Sequence, residues 1–106
     1  MTQNKAGSSQ EPDFLAHRDG DMVAVAVKDL EPGTVHGSYL DGPQSVTVEL
    51  ANPVPLGHKF ALTDIAEGTE VIEYGVRVSV AAKPITEGEY VHVHNVRSAR
   101  WHNSVA

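Results

Sequence analysis

The residues best equipped for chemistry lie near the end of this chain, in Tyr90-Val91-His92-Val93-His94-Asn95-Val96. Read as one strand, the stretch alternates its side chains, so His92 and His94 share a face roughly 6.5–7 Å apart. Two imidazoles at that spacing, with the Asn95 amide next in line, suit the gripping of a metal ion or an anion. Metal sites take three or four protein ligands, and the nearby supply is Asn95, His58 and His102. The expectation is therefore a share in a site that another polypeptide completes. The competing reading is a pair of histidines on a half-exposed strand, facing water.

A second candidate is His58-Lys59, which follows Gly57 between a proline turn and a strand. An imidazole and an ammonium at a strand entrance are well placed to meet a substrate carboxylate. His58 is the candidate for catalysis, either moving a proton or binding the anion, and the sequence does not choose. Lys59, His92, His94 and Asn95 are the candidates for holding substrate. The closing run Arg97-Ser98-Ala99-Arg100-Trp101-His102 joins a tryptophan to two arginines, residue types that dominate interface energetics. Arg97, Arg100 and Trp101 are expected to face a partner, unless the tail folds back over its own domain. Asp19-Gly20-Asp21 reads as a hairpin turn, because calcium takes six or more oxygens and no loop here supplies them.

The elements that must position these groups are strands. Met22–Val27 is a continuous apolar run suited to a strand covered on both faces. Val46–Leu50, Val76–Val80 and Tyr90–Val96 alternate as half-buried strands do, with Phe60–Leu62 and Val71–Tyr74 as shorter candidates. Glycine- and proline-rich turns separate them, and nowhere does helical periodicity run for three turns. One cassette recurs: Asp29–Thr34, Asp64–Thr69 and Pro84–Glu89 each carry an aliphatic residue, two spacers and a glycine. A short helical turn ended by left-handed glycine accounts for that order. Residues 1–12 read as a disordered leader, 13–96 as the folded domain and 97–106 as a tail.

Size and charge set further bounds. A chain of 106 residues is one domain, burying roughly 60–68% of its unfolded surface. Net charge of −6 argues against nucleic acid, which draws on clustered Lys and Arg. The absence of cysteine removes disulfides and thiolate metal sites. No run approaches the roughly 20 apolar residues of a membrane span, and no signal peptide is visible. A soluble cytoplasmic protein is expected.

Three ordered motifs carry a resemblance. They are Pro55-Leu56-Gly57-His58-Lys59-Phe60-Ala61-Leu62-Thr63-Asp64-Ile65, then Gly68 with Val71-Ile72-Glu73-Tyr74-Gly75, then Gly88-Glu89-Tyr90-Val91-His92-Val93-His94-Asn95. From about Phe14 to Trp101 the chain resembles the SAF domain of the altronate/galactarate dehydratase superfamily. It is also similar to the separate small subunit of split members, sulfolactate sulfo-lyases among them. The resemblance implies an all-β domain of β-clip fold with short helical turns. It further implies the small subunit of a lyase for a small hydroxy acid, not active alone, beside a large catalytic subunit that holds a divalent metal, Fe or Mn. The reaction would be a dehydration like that of altronate, with loss of sulfite from sulfolactate as the alternative. A capping or purely structural module, or self-association, are the other readings.

Overall fold

A computed structural model describes residues 11–18, 20–41, 45–73, 76–92 and 94–98. It holds nine strands: β1 (Phe14–Ala16), β2 (Val23–Ala26), β3 (Gly33–Tyr39), β4 (Ser45–Leu50), β5 (Lys59–Ala61), β6 (Glu70–Glu73), β7 (Val76–Ala81), β8 (Tyr90–Val91) and β9 (Val96–Ser98). Six form one sheet in the order β4-β3-β1-β2-β5-β8, and three form a second in the order β6-β7-β9. Among the described residues only β1 and β3 pair in parallel; the other ladders are antiparallel. The chain is all-β, as expected. No helix among the described residues is long and apolar enough to cross a membrane.

β2 sits near the middle of the large sheet because Val23, Ala24 and Ala26 are small or β-branched and buried. The β3–β4 hairpin keeps strict alternation, with Val35, Val48 and Leu50 turned inward and Thr34, His36, Thr47 and Glu49 outward. Phe14 and Phe60 meet edge to face at 4.9 Å under the large sheet, each burial contributing about 1.5–3 kcal/mol. Val23, Ala61, Ile65, Val71, Ala81, Ile85 and Val91 form a second cluster, drawn from both sheets. Met22 also ties the sheets together: its amide donates to the Ile72 carbonyl at 2.9 Å, and its carbonyl accepts from Leu62 at 2.8 Å.

The recurring cassettes prove to be the corners of the fold, and they work in pairs. Ile65 and Ile85 exchange both backbone hydrogen bonds, at 2.7 and 2.8 Å. Leu30 exchanges the same pair with Val54, at 2.9 and 3.0 Å. Val54-Pro55-Leu56-Gly57 is thus a fourth cassette, hidden in the sequence by the prolines on either side of Val54. Three of the corners are β-turns, not the short helical turns expected. His58 N–H donates to Pro55, Thr69 N–H to Ala66 and Glu89 N–H to Thr86, at 2.9–3.0 Å. The preceding glycines, Gly57, Gly68 and Gly88, have φ of 85°, 82° and 87°, which the third position of a type II turn requires. Asp29 and Asp64 brace two of these turns by accepting the amides of Leu56 and Glu87.

Two boundaries differ from expectation. The single strand expected over Tyr90–Val96 is broken into β8 and β9 by a turn. β9 then pairs with β7, Arg97 lying opposite Val80, so the folded domain passes residue 96 and Arg97 belongs to a sheet. Apart from Glu11 and Pro12 the leader lies outside the described residues, as do Arg100 and Trp101.

Candidate functional site at the edge of the large sheet

The Gly57 turn delivers the chain to His58 with both backbone groups occupied. Its N–H donates to Pro55 at 3.0 Å, and its carbonyl accepts from Ala26 of β2 at 2.9 Å. One residue later β5 begins, pairing Lys59 with Val91 and Phe60 with Tyr90 of the edge strand β8. That pairing brings Tyr90 to His58, and its hydroxyl lies 2.7 Å from His58 Nδ1. His92 stacks on the Tyr90 ring, at 5.5 Å between centroids and 6° between planes, and lies 5.4 Å from the His58 ring. The His94 ring lies 5.8 Å from that of Tyr90, tilted by 43°. Three histidines and one tyrosine therefore form a single aromatic patch.

The patch is assembled differently from the strand face expected. His92 and His94 do not sit two apart on a continuous strand; a turn closed by Asn95 carries them. Asn95, expected to contact substrate, is fully buried. Its Oδ1 accepts the His92 amide at 2.9 Å, and its Nδ2 donates to the Tyr90 carbonyl at 2.7 Å. Asparagine side chains compete in this way with ladder hydrogen bonds, and here the competition ends β8 after Val91. Asn95 is thus a brace for the histidines, its amide buried and bonded to the main chain on both sides of the turn.

Lys59 is placed beside the patch, but its charge is already engaged. Its ammonium lies 2.7 Å from Glu73 Oε1 on β6, across the two sheets. The Glu73 side chain is only 11% exposed, and His17 Nε2 stands 4.0 Å from its other oxygen. A carboxylate so far from water needs a cation or donors beside it, and Lys59 supplies that charge. Glu73 therefore limits how much of the Lys59 charge is available to an incoming anion. Sequence reading missed it because nothing in the spacing of residues 59 and 73 shows that β5 and β6 face each other.

Tyr90 was missed as well, although a signal for it exists. The alternation that links His94 to His92 reaches Tyr90 two residues earlier. Its main chain is fixed at both ends, since its N–H donates to Asn52 Oδ1 at 3.0 Å and its carbonyl accepts from Asn95.

His58, Lys59 and His92 rim an open cleft of about 390 Å³ between the two sheets, floored by Val23, Val71 and Val91. The His58 and His92 rings lie 5.4 Å apart, and these two and His94 each contact the Tyr90 ring. Among the described residues no set of three or more His, Asp or Glu could hold a metal ion. His58 Nδ1 is taken by Tyr90 as well. What the patch offers within this chain is hydrogen-bond donors and aromatic faces.

Residues 12–99 match the family model described as the altronate/galactarate dehydratase SAF domain. The (2R)-sulfolactate sulfo-lyase subunit alpha of Chromohalobacter salexigens is 38% identical over 91 residues, which are 84% of this chain and 97% of that protein. Altronate dehydratase of Escherichia coli is 46% identical over 78 residues, 74% of this chain but 15% of that enzyme. Galactarate dehydratase (L-threo-forming) of Escherichia coli is 35% identical over 80 residues, 14% of its length. The relatives thus include one protein of matching size and large enzymes of which the chain spans about a seventh. On this match, and on its paired-corner β architecture, the chain belongs to the SAF-domain family of the altronate and galactarate dehydratases.

Proposed function

We propose that this chain serves as the small subunit of a sugar-acid dehydratase of the altronate dehydratase kind, a carbon–oxygen lyase. Its histidine–tyrosine patch would receive an anionic hydroxy acid held by a larger catalytic chain. One observation carries the reading: His58, His92 and His94 gather around Tyr90 at the mouth of an open cleft. Among the described residues no carboxylate is bonded to any of the three. When a proton leaves the carbon beside a carboxylate, negative charge builds on the carboxylate oxygens, and donors fixed in advance stabilise it. This chain's share is to hold such oxygens, or the departing one. The base and the divalent metal are assigned to the larger chain, since among the described residues here no three or more His, Asp or Glu gather around a common point.

Loss of sulfite from sulfolactate is the second reading, favoured by the near end-to-end match to a sulfo-lyase subunit. The test is reconstitution with the larger chain, followed by turnover of altronate, galactarate and sulfolactate. His92 and His94 are exposed. Replacing both by alanine should change stability by less than about 0.5 kcal/mol while lowering turnover on the order of 10²-fold. Wild-type turnover by the double variant would dismiss the site.

A further inference from the structure

We propose that Tyr90 locks His58 in the tautomer that carries its proton on Nε2, so that His58 presents a donor to an anionic oxygen and is not the base. The inference rests on the proposed function for its substrate, but its geometry stands apart from it. The Tyr90 hydroxyl and His58 Nδ1 are 2.7 Å apart, and one proton lies between them. A phenol is a better donor than a neutral imidazole N–H, and an imidazole nitrogen is a better acceptor than a phenol oxygen. If Nδ1 donated instead, the phenol hydrogen would have to turn to solvent, because among the described residues Tyr90 has no other acceptor, and the stronger donor would be spent on water. Tyr90 therefore donates, and the ring's remaining proton must sit on Nε2.

Both partners are held firmly enough for the lock to matter. His58 is clamped through its amide and carbonyl. Tyr90 is held by Asn52 at one end, by Asn95 at the other and by the His92 ring stacked upon it. His58 lines the cleft, and among the described residues Nε2 has no hydrogen-bond partner. An Nε2–H can bind a carboxylate or enolate oxygen, or donate to a leaving oxygen. It has no lone pair with which to take the proton from carbon, so that base must come from elsewhere in the assembly. Tyr90 is then a positioning residue acting through His58.

Ring-nitrogen NMR of the ¹⁵N-labelled chain, at a pH where the imidazole is neutral, tests the lock without partner or substrate. The wild type should show His58 as one tautomer, Nδ1 unprotonated and Nε2 protonated. Tyr90→Phe keeps the ring that stacks on His92 and should let the two tautomers mix. A proton on Nδ1 in the wild type, or an unchanged ring in Tyr90→Phe with the amide spectrum intact, would overturn the proposal. In the assembled enzyme, a glutamine amide nitrogen can take the place of Nε2 and an asparagine that of Nδ1. His58→Gln should stay within about tenfold of wild type and His58→Asn fall about 10²-fold, as loss of a fixed donor does. Equal losses of about 10²–10⁴-fold in both would mark His58 as the base and refute the donor role. Full activity in both would refute the site reading, and the NMR result would still decide the tautomer.

Discussion

Replacing Asn95 by alanine tests whether one buried amide builds the histidine turn. The substitution removes the acceptor of the His92 N–H and the donor to the Tyr90 carbonyl, bonds of 2.9 and 2.7 Å. A buried polar group left without a partner costs about 1–3 kcal/mol. His92 is exposed, so its amide can turn to water and falls at the low end. The Tyr90 carbonyl, beside a side chain that was fully buried, falls higher. The sum is about 2–3 kcal/mol. At a urea slope of about 1–1.5 kcal/mol/M, the unfolding midpoint should drop by roughly 1.3–3 M with the slope unchanged. Asn95→Asp gives the control. One carboxylate oxygen can still accept from His92, but the other meets the Tyr90 carbonyl, acceptor against acceptor, in a buried place. That environment raises the carboxyl group's pKa, so the folded state binds the extra proton and the variant should gain stability as pH falls. An Asn95→Ala midpoint within experimental error of wild type would refute the brace, as would an Asn95→Asp variant insensitive to acid.

Three further outcomes follow from the fold and the ion pair. Gly68 and Gly88 share the same φ, but a Cβ at Gly68 meets nothing, whereas one at Gly88 falls on the Glu49 carbonyl. Gly68→Ala should cost about 1–2 kcal/mol for the left-handed backbone alone, and Gly88→Ala clearly more; equal midpoints in urea would contradict the contact. Glu73→Gln leaves Lys59 without its partner, and because Lys59 is 40% exposed the loss should be only about 1 kcal/mol. That difference should shrink in 1 M salt; a salt-independent loss would show that packing, not charge, holds the pair. Phe60→Ala removes one half of the Phe14–Phe60 contact and should cost about 3–5 kcal/mol, read as a lowered thermal midpoint.

Much of this was legible in the residues. β2, β4 and β7 follow from local pattern alone, and the glycine corners from a repeated order of residue types. β3 was not, because His36, Gly37 and Ser38 break an apolar alternation; its strand character comes from six paired positions on β4 and three on β1. His58 was placed correctly at a strand entrance, since proline and glycine before it dictate a turn. The break after Val91 was illegible because Tyr90–Val96 has ideal strand alternation, and only the buried side chain of Asn95 overrides it. Glu73 and Asn52 act across 14 and 38 positions of chain, a separation that strand order determines and spacing does not.

The turns ending at His58, Thr69 and Glu89 are geometrically alike, and the residue after each glycine is held by the same short loop closure. At the Gly68 turn shape is thereby uncoupled from chemistry: main-chain bonds from Thr69 to Ala66 and from Ala81 to Thr69 secure the loop, leaving the Thr69 side chain open to exchange. Thr69 is such a vacant socket, solvent-facing and aimed by the same hinge that aims His58. A protein engineer, or evolution, could graft a reactive group there while leaving the chassis undisturbed.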